Sequence, residues 1–243
     1  MATPTDGTPP NPRRNLLLRS LPEQEFTRLR PLLEPVALDI HDELYEVGAP
    51  IEHLYFPVDA VLSLLAVVEG EAPVEVATVG YEGMAGLPAF LGSAESVHHT
   101  VCQVAGTAVR LTTADLRRFL EQDGALHDLL HRYTQATMVQ LSQSVACNRL
   151  HTTEERAARW LLQTRDRVGA DDFALTREFL AQMLGVRRGS ASITVGLLQQ
   201  AGVIRYTRGR ISVRDAAALH EVACDCYDIV QAQYRRLTAA PEP

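Results

Sequence analysis

No lysine occurs among the 243 residues, so the positive charge rests on 23 arginines. A GC-rich coding bias would remove lysine without functional meaning, and arginine replaces it at little loss where a fork of donors meets an oxyanion. No apolar run approaches the ~18–20 residues of a membrane span. The Pro- and Thr-rich start, MATPTDGTPPNPRRN, lacks the apolar stretch of a secretory signal. These absences predict a cytoplasmic protein with a disordered arm over residues 1–15. Cysteine is sparse: Cys102, Cys147, Cys224 and Cys226 are scattered, with no CxxC pair. Such thiols in a reducing compartment predict neither disulfides nor a structural zinc. Cys224 and Cys226 fall on an expected helix, where i and i+2 face different sides, and read as two unrelated thiols. HExxH, GxSxG, the P-loop and GxGxxG are all missing, as are paired catalytic carboxylates. That argues against an enzyme, and no metal or cofactor is expected. Glu82, a lone acid in GYEGMAG, reads as a turn residue.

What is present is an ordinary globular mixture, 46% hydrophobic and 22% charged, in a chain long enough for one large or two modest domains. The formal net charge is −7, which excludes a whole-chain polyanion binder. Its distribution is uneven. Residues 1–150 carry 10 Arg and 19 acids, whereas residues 151–238 carry 13 Arg and 10 acids. Between Arg187 and Arg214 there are six arginines and no acid. A basic patch on an acidic protein is the footprint of a localised nucleic-acid contact.

Three textures follow one another. Residues 16–34 read as a short helical entry punctuated by prolines. Residues 36–112 hold short β-branched runs, among them VALDI, IEHLYFPV, VLSLLAVV and VEVATVG, parted by turns such as Gly80-Tyr81-Glu82-Gly83. Many short strands at this spacing predict a small antiparallel barrel or sandwich. From Thr113 the period becomes helical, with Thr112, Thr113 and Asp115 as candidate N-caps. A long helix is expected over 126–150, with Leu126, Leu130, Tyr133, Thr137, Leu141 and Val145 on one stripe. Such a narrow seam on so long a helix suits pairing with a second copy, the alternative being packing against its own barrel. Thr152-Thr153-Glu154-Glu155 then opens another helix, closed by Gly169.

Residues 173–215 carry the strongest pattern: FALTREFLAQMLGVRRGSASITVGLLQQAGVIRYTRGRISVRD. Thr176 caps a helix over 177–184, Gly185 makes the turn, and a second helix spans about 189–201. At about 100° per residue, Ala191, Thr194, Val195 and Leu198 form its core face. Gly189, Ser192, Ile193, Gly196 and Gln200 fall opposite, with Arg187, Arg188 and Ser190 at the start. Small uncharged residues edged by arginine suit a helix lying in a major groove, where Arg forks guanine and Ile193 meets a thymine methyl. VIRYTRGRISV reads as a hairpin with Arg205, Arg208 and Arg210 about its tip, placed to hold phosphates. Helix, turn, basic-edged helix and basic hairpin together predict a winged helix-turn-helix, with double-stranded DNA as its partner.

With these stretches in view, the chain over about residues 16–238 resembles the Crp–Fnr transcription regulators. LYFPVDAVLSLL, VEVATVGYEGMAGLPAFLG and LTREFLAQMLGVRRGSASITVGLLQQAGVI carry the resemblance. It implies an α+β architecture: an antiparallel, jelly-roll-like β-roll over 16–124, a dimerisation helix over 125–150, and a winged helix-turn-helix over 151–238. It further implies a homodimer on a near-palindromic site, with RNA polymerase as a partner. Family recognition helices start Arg, Glu, then Ser or Thr. Arg188 and Ser190 match, but Gly189 replaces the Glu and Ile193 a later Arg, which implies a different operator. The family's effector region maps onto Glu82, Gly83, Gly86, His98 and His99. Cyclic-nucleotide-binding members carry Gly-Glu and a later Arg. Here Gly86-Leu87 lacks the Glu and Val97 stands at the Arg position, so cyclic AMP binding is not expected. His98 and His99 point opposite ways on a strand and do not suit a shared metal or haem. The competing reading is a ligand-binding or scaffold module whose helix-turn-helix packs on a protein partner.

Overall fold

The computed structural model describes residues 9–122 and 124–237. The entry segment forms α1 (Leu16–Arg19) and α2 (Glu23–Leu29). Residues 11–15, expected in a disordered arm, are ordered instead. Pro12–Arg14 make a 3-10 turn capped by Asn11, and Asn15 is buried. The Asn15 amide donates to the carbonyls of Pro57 (2.9 Å) and Gly83 (2.8 Å), while its side-chain oxygen caps α1. An asparagine satisfied inside the protein holds the chain in place, a contact that composition does not reveal. Residues 1–8 of that expected arm lie outside the described residues.

Seven strands follow: β1 (Glu34–Leu38), β2 (Glu43–Tyr45), β3 (His53–Pro57), β4 (Val61–Ala66), β5 (Val74–Val79), β6 (His99–Val104) and β7 (Gly106–Thr112). They pair antiparallel in two sheets, ordered β1-β7-β3 and β2-β6-β4-β5. In β3 the period-two pattern buries Leu54 and Phe56 and leaves His53 and Tyr55 half-buried, as expected of a sheet with one face on a core. The short α3 (Leu87–Phe90) starts at Gly86, whose φ of +97° favours glycine. Thr112, one of the three candidate caps, accepts a hydrogen bond from Asp115 N (3.0 Å) and begins α4 (Thr113–Leu120).

The long helix α5 spans Ala125–Leu150. Its first turn is capped from afar: the Glu25 carboxylate accepts from the N–H groups of Ala125 (2.9 Å) and Leu126 (2.8 Å). Next comes α6 (Thr153–Val168), opened by a complete Thr152–Glu155 capping box and closed by Gly169 at φ +67°. The remaining elements are β8 (Asp172–Ala174), α7 (Arg177–Leu184), α8 (Arg188–Gln200), β9 (Ile204–Thr207), β10 (Arg210–Val213), α9 (Ala216–Val222) and α10 (Cys226–Arg236). The strand β8 was not expected from the sequence. Three residues show no period, and pairing with β10 fixes them through Phe173 opposite Ile211.

The expected stripe on α5 requires correction. Leu126, Leu130, Tyr133 and Thr137 are buried within their own chain, in the core beneath the roll or against it. They are not available to a second copy. The large apolar side chains that α5 leaves open are Met138 (58% exposed), Val145 (73%) and, at its end, Leu150 (74%), with Leu141 half-buried between the first two. A spacing of 3 and 4 places Met138, Leu141 and Val145 on one face.

Two cores result. One fills the roll and extends onto α5, and α10 returns Val230 and Tyr234 to it, with Leu237 just past its end. The other, around Trp160, Leu180, Leu198 and Ile211, takes in Leu65 and Val101 from the roll. A buried polar seam runs where the halves meet. Trp160 Nε1 and Ser63 Oγ each donate to the Glu75 carboxylate at 2.7 Å. Burial dominates over these bonds and pushes the Glu75 carboxyl up from 4.5 to about 7. Arg167 at the end of α6 donates to Glu82 at 2.6 Å, both side chains being buried. Among the described residues no helix is long and apolar enough to cross a membrane.

Candidate nucleic-acid interface

Thr176 accepts from Phe179 N (3.1 Å) and so fixes the start of α7. The helix stops at Gly185, whose φ of +61° lets the chain turn back. α8 then lies across α7, burying Ala191, Thr194, Val195 and Leu198, the face given by the 100° period. It begins at Arg188, one residue earlier than expected. Its opposite face is open: Arg187, Arg188, Gly189 and Ser190 are exposed, Ser192 is half-buried, and Ile193 is 67% exposed. A Cβ added at Gly189 or Gly196 would meet nothing within 4 Å, so the chain's own packing does not demand glycine there. No side chain caps the first turn of α8. Its leading N–H groups and the helix dipole are therefore open to an anion beside two arginines.

Arg188 pairs with Glu178 of α7 at 2.6 Å, with both side chains largely exposed. An ion pair in water is worth at most ~1 kcal/mol, so it holds the guanidinium beside the open face of α8 without preventing its exchange for another anion. The hairpin β9–β10 turns through Arg208 and Gly209, at φ +49° and +76°. Positive φ at both central positions is the type I′ turn that matches strand twist. Arginine at such a position costs about 1 kcal/mol or more, which strains the residue best placed to project from the tip. Arg205, Arg208 and Arg210 are all exposed.

The effector-region residues separate. A mostly apolar cavity of about 230 Å³ lies between the roll and α5, lined in part by Gly86, Leu87, Val97, His98, Tyr133 and Met138. Among the described residues no arginine or carboxylate lines it, and burial lowers the pKa of His98. His99, the first residue of β6, instead lies 3.5 Å from the Glu43 carboxylate, while His98 precedes the strand in a bend. Glu82 is not at the cavity and is not a free turn residue, since it forms the buried pair with Arg167. Gly83 backs onto the Tyr133 ring, where any side chain would overlap it. Sequence reasoning missed Glu82–Arg167 because the partners lie 85 residues apart.

It also missed a second cluster. Cys147, His151, Cys224 and Cys226 bring their ligand atoms within 4.8 Å of one another. The CxC pair is not mid-helix. Ala223 is extended (φ −71°, ψ 150°) at the end of α9, Cys224 lies in the connection, and Cys226 opens α10. Helical divergence of i and i+2 therefore does not apply. The only sequence signal was Cys147 and His151 at i, i+4.

A family model for the Crp-like helix-turn-helix domain matches residues 155–222. No curated protein matches the chain. Among solved structures, FixK2 from Bradyrhizobium japonicum aligns with a TM-score of 0.68 at 17% identity, over 79% of this chain and 98% of that one. A Crp/Fnr family protein from Eubacterium rectale gives 0.62 at 15% identity, over 86% and 98%. The c-di-GMP responsive global regulator CLP of Xanthomonas campestris gives 0.59 at 16%, over 79% and 99%. At these identities the likeness concerns the fold and not the ligand. Residues 155–222 match the Crp-like helix-turn-helix domain, and the chain as a whole has the fold seen in these solved structures.

Proposed function

We propose that the protein is a cytoplasmic homodimeric transcription regulator that reads a near-palindromic DNA site and does not depend on cyclic AMP. The observation that carries this reading is the open face of α8: small, uncharged, led by Arg187 and Arg188, and flanked by a strained basic wing tip. Two such helices held by one dimer read half-sites about 34 Å apart along the duplex. The apolar residues Met138, Leu141 and Val145 supply a face for the second copy. Independence from cyclic AMP is supported by a cavity that offers no cation to a cyclic phosphate, which would be buried uncompensated. The same cavity suits an apolar effector. Met138 and Leu141 line it as well as facing outward, so an occupant would press on the dimer face. Regulation would then act on RNA polymerase at the bound promoter.

Selection of bound DNA from a random pool by the purified protein, at ~150 mM salt to suppress purely electrostatic binding, tests this reading. An enriched inverted repeat supports it. Recovery of no motif by a folded dimer, together with binding unchanged by Arg188→Ala, would favour a protein partner for the module.

A further inference from the structure

We propose that Cys147, His151, Cys224 and Cys226 form a tetrahedral Zn²⁺ site that staples the start of the DNA-binding half to the C-terminal helix. Cys147 lies in the last turn of α5 and His151 is its C-cap; Cys224 and Cys226 bracket the α9–α10 connection. Cys147 Sγ and Cys224 Sγ are 3.5 Å apart, and Cys226 Sγ and His151 Nδ1 are 3.6 Å apart. Zinc binds thiolate at about 2.3 Å and imidazole at about 2.0–2.1 Å, which makes the edges of its tetrahedron roughly 3.5–3.8 Å. Two of the six edges already have this length and all four ligand atoms lie within 4.8 Å of one another, so small side-chain adjustments would close the sphere.

The donor set identifies the ion. Three soft sulfurs and an imidazole select zinc over the oxygen-seeking divalent ions. Four protein ligands close the sphere, which is the mark of a structural site, not a catalytic one. The close grouping suits a single ion, whereas a [2Fe–2S] centre spreads its ligands over two irons. Zn²⁺ with three thiolates and a neutral imidazole carries one net negative charge. Arg156 and Arg159 of α6 both interact electrostatically with Cys147, and they supply the compensation. The three cysteines are buried and form a packing group of their own, apart from the two large cores. Ligands from 147–151 and 224–226 would be tied at the point where the chain passes from α5 to α6. The bound ion would therefore fix the angle at which the winged module leaves the long helix.

The test uses the full-length chain, purified reduced and without chelator, with metal content measured by mass spectrometry. The reduced apoprotein is then titrated with Co²⁺. About one zinc per chain and little iron are expected, as are the d–d and thiolate charge-transfer bands of tetrahedral cobalt. Cys226→Ser should weaken Co²⁺ uptake at least ~10-fold, as losing a ligand must exceed the loss of an outer-shell partner, whereas Cys102→Ala should leave it unchanged. The titration of the unaltered chain needs no variant, so a misfolded mutant cannot obscure the result. No tetrahedral thiolate spectrum at excess cobalt, equal uptake by a Cys147→Ser/Cys226→Ser variant, or a stoichiometric iron–sulfur absorbance would each overturn the proposal.

Discussion

α5 and α8 are both helices with one buried and one open side, yet the open sides differ in kind. α8 shows glycine, serine, Ile193 and Leu197 behind a pair of arginines. α5 shows Met138, Val145 and, at its end, Leu150, with no charged residue between Met138 and Val145. The first surface lets a charged, grooved polyanion approach closely. The second loses free energy in water and regains it against a like face. Helix periodicity alone does not separate these uses. On α8 the apolar residues mark the buried side, as periodicity assumes. On α5 the longest apolar stripe is consumed by its own roll, and only the lesser stripe is left for a partner.

The contrast breaks most visibly at Val145. Val145→Glu is expected to convert the dimer to monomer by light scattering and to lower affinity for the selected site at least ~100-fold, through loss of paired binding. A dimer that persists would place the interface elsewhere. At α8, Arg188→Ala should cost about 1–3 kcal/mol at the recovered site and relax preference at one base position, read by anisotropy against single-base variants. A uniform loss across all sequences would make Arg188 a phosphate contact.

Between the two faces lies the seam through Glu75, and its response to pH has a definite sign. A carboxyl raised from 4.5 to about 7 holds a proton in the folded state that the unfolded chain has released. Its stabilising share is complete below about 4.5 and is lost as pH rises through about 7. Melting temperature should therefore fall between those pH values, and Glu75→Gln should flatten the decline. The smallest effect is expected at the wing. Arg208→Asn suits a left-handed turn position better, so stability should hold or rise, while the salt dependence of DNA binding weakens by about one unit of slope. An unchanged slope would remove Arg208 from the phosphate contacts.

Much of the winged module was legible because its signals are local. Thr152 with Glu155, Thr176 with Phe179, and the glycines at 169 and 185 act within one turn of chain. The β-roll was legible as texture, but β8 and the ordering of residues 11–15 were not. One depends on pairing with β10 and the other on Asn15 reaching Pro57 and Gly83. The effector residues were read from resemblance as a group, and the fold divides them between a cavity, a contact of His99 with Glu43 and a buried ion pair with Arg167.

Local sequence settled the helix-turn-helix with its hairpin, the caps at Thr112, Thr152 and Thr176, and which side of α8 is buried. Each of these follows from hydrogen bonds and side-chain spacing within about four residues, where period and capping chemistry are written directly. Tertiary structure decided which stripe of α5 stays open, where Glu82 finds its counter-charge, and that four scattered ligands meet. Those contacts join residues 77 and 85 positions apart, such as Cys147 with Cys224 and Glu82 with Arg167. Only the packing of the two cores against each other sets such distances, and no local pattern encodes them.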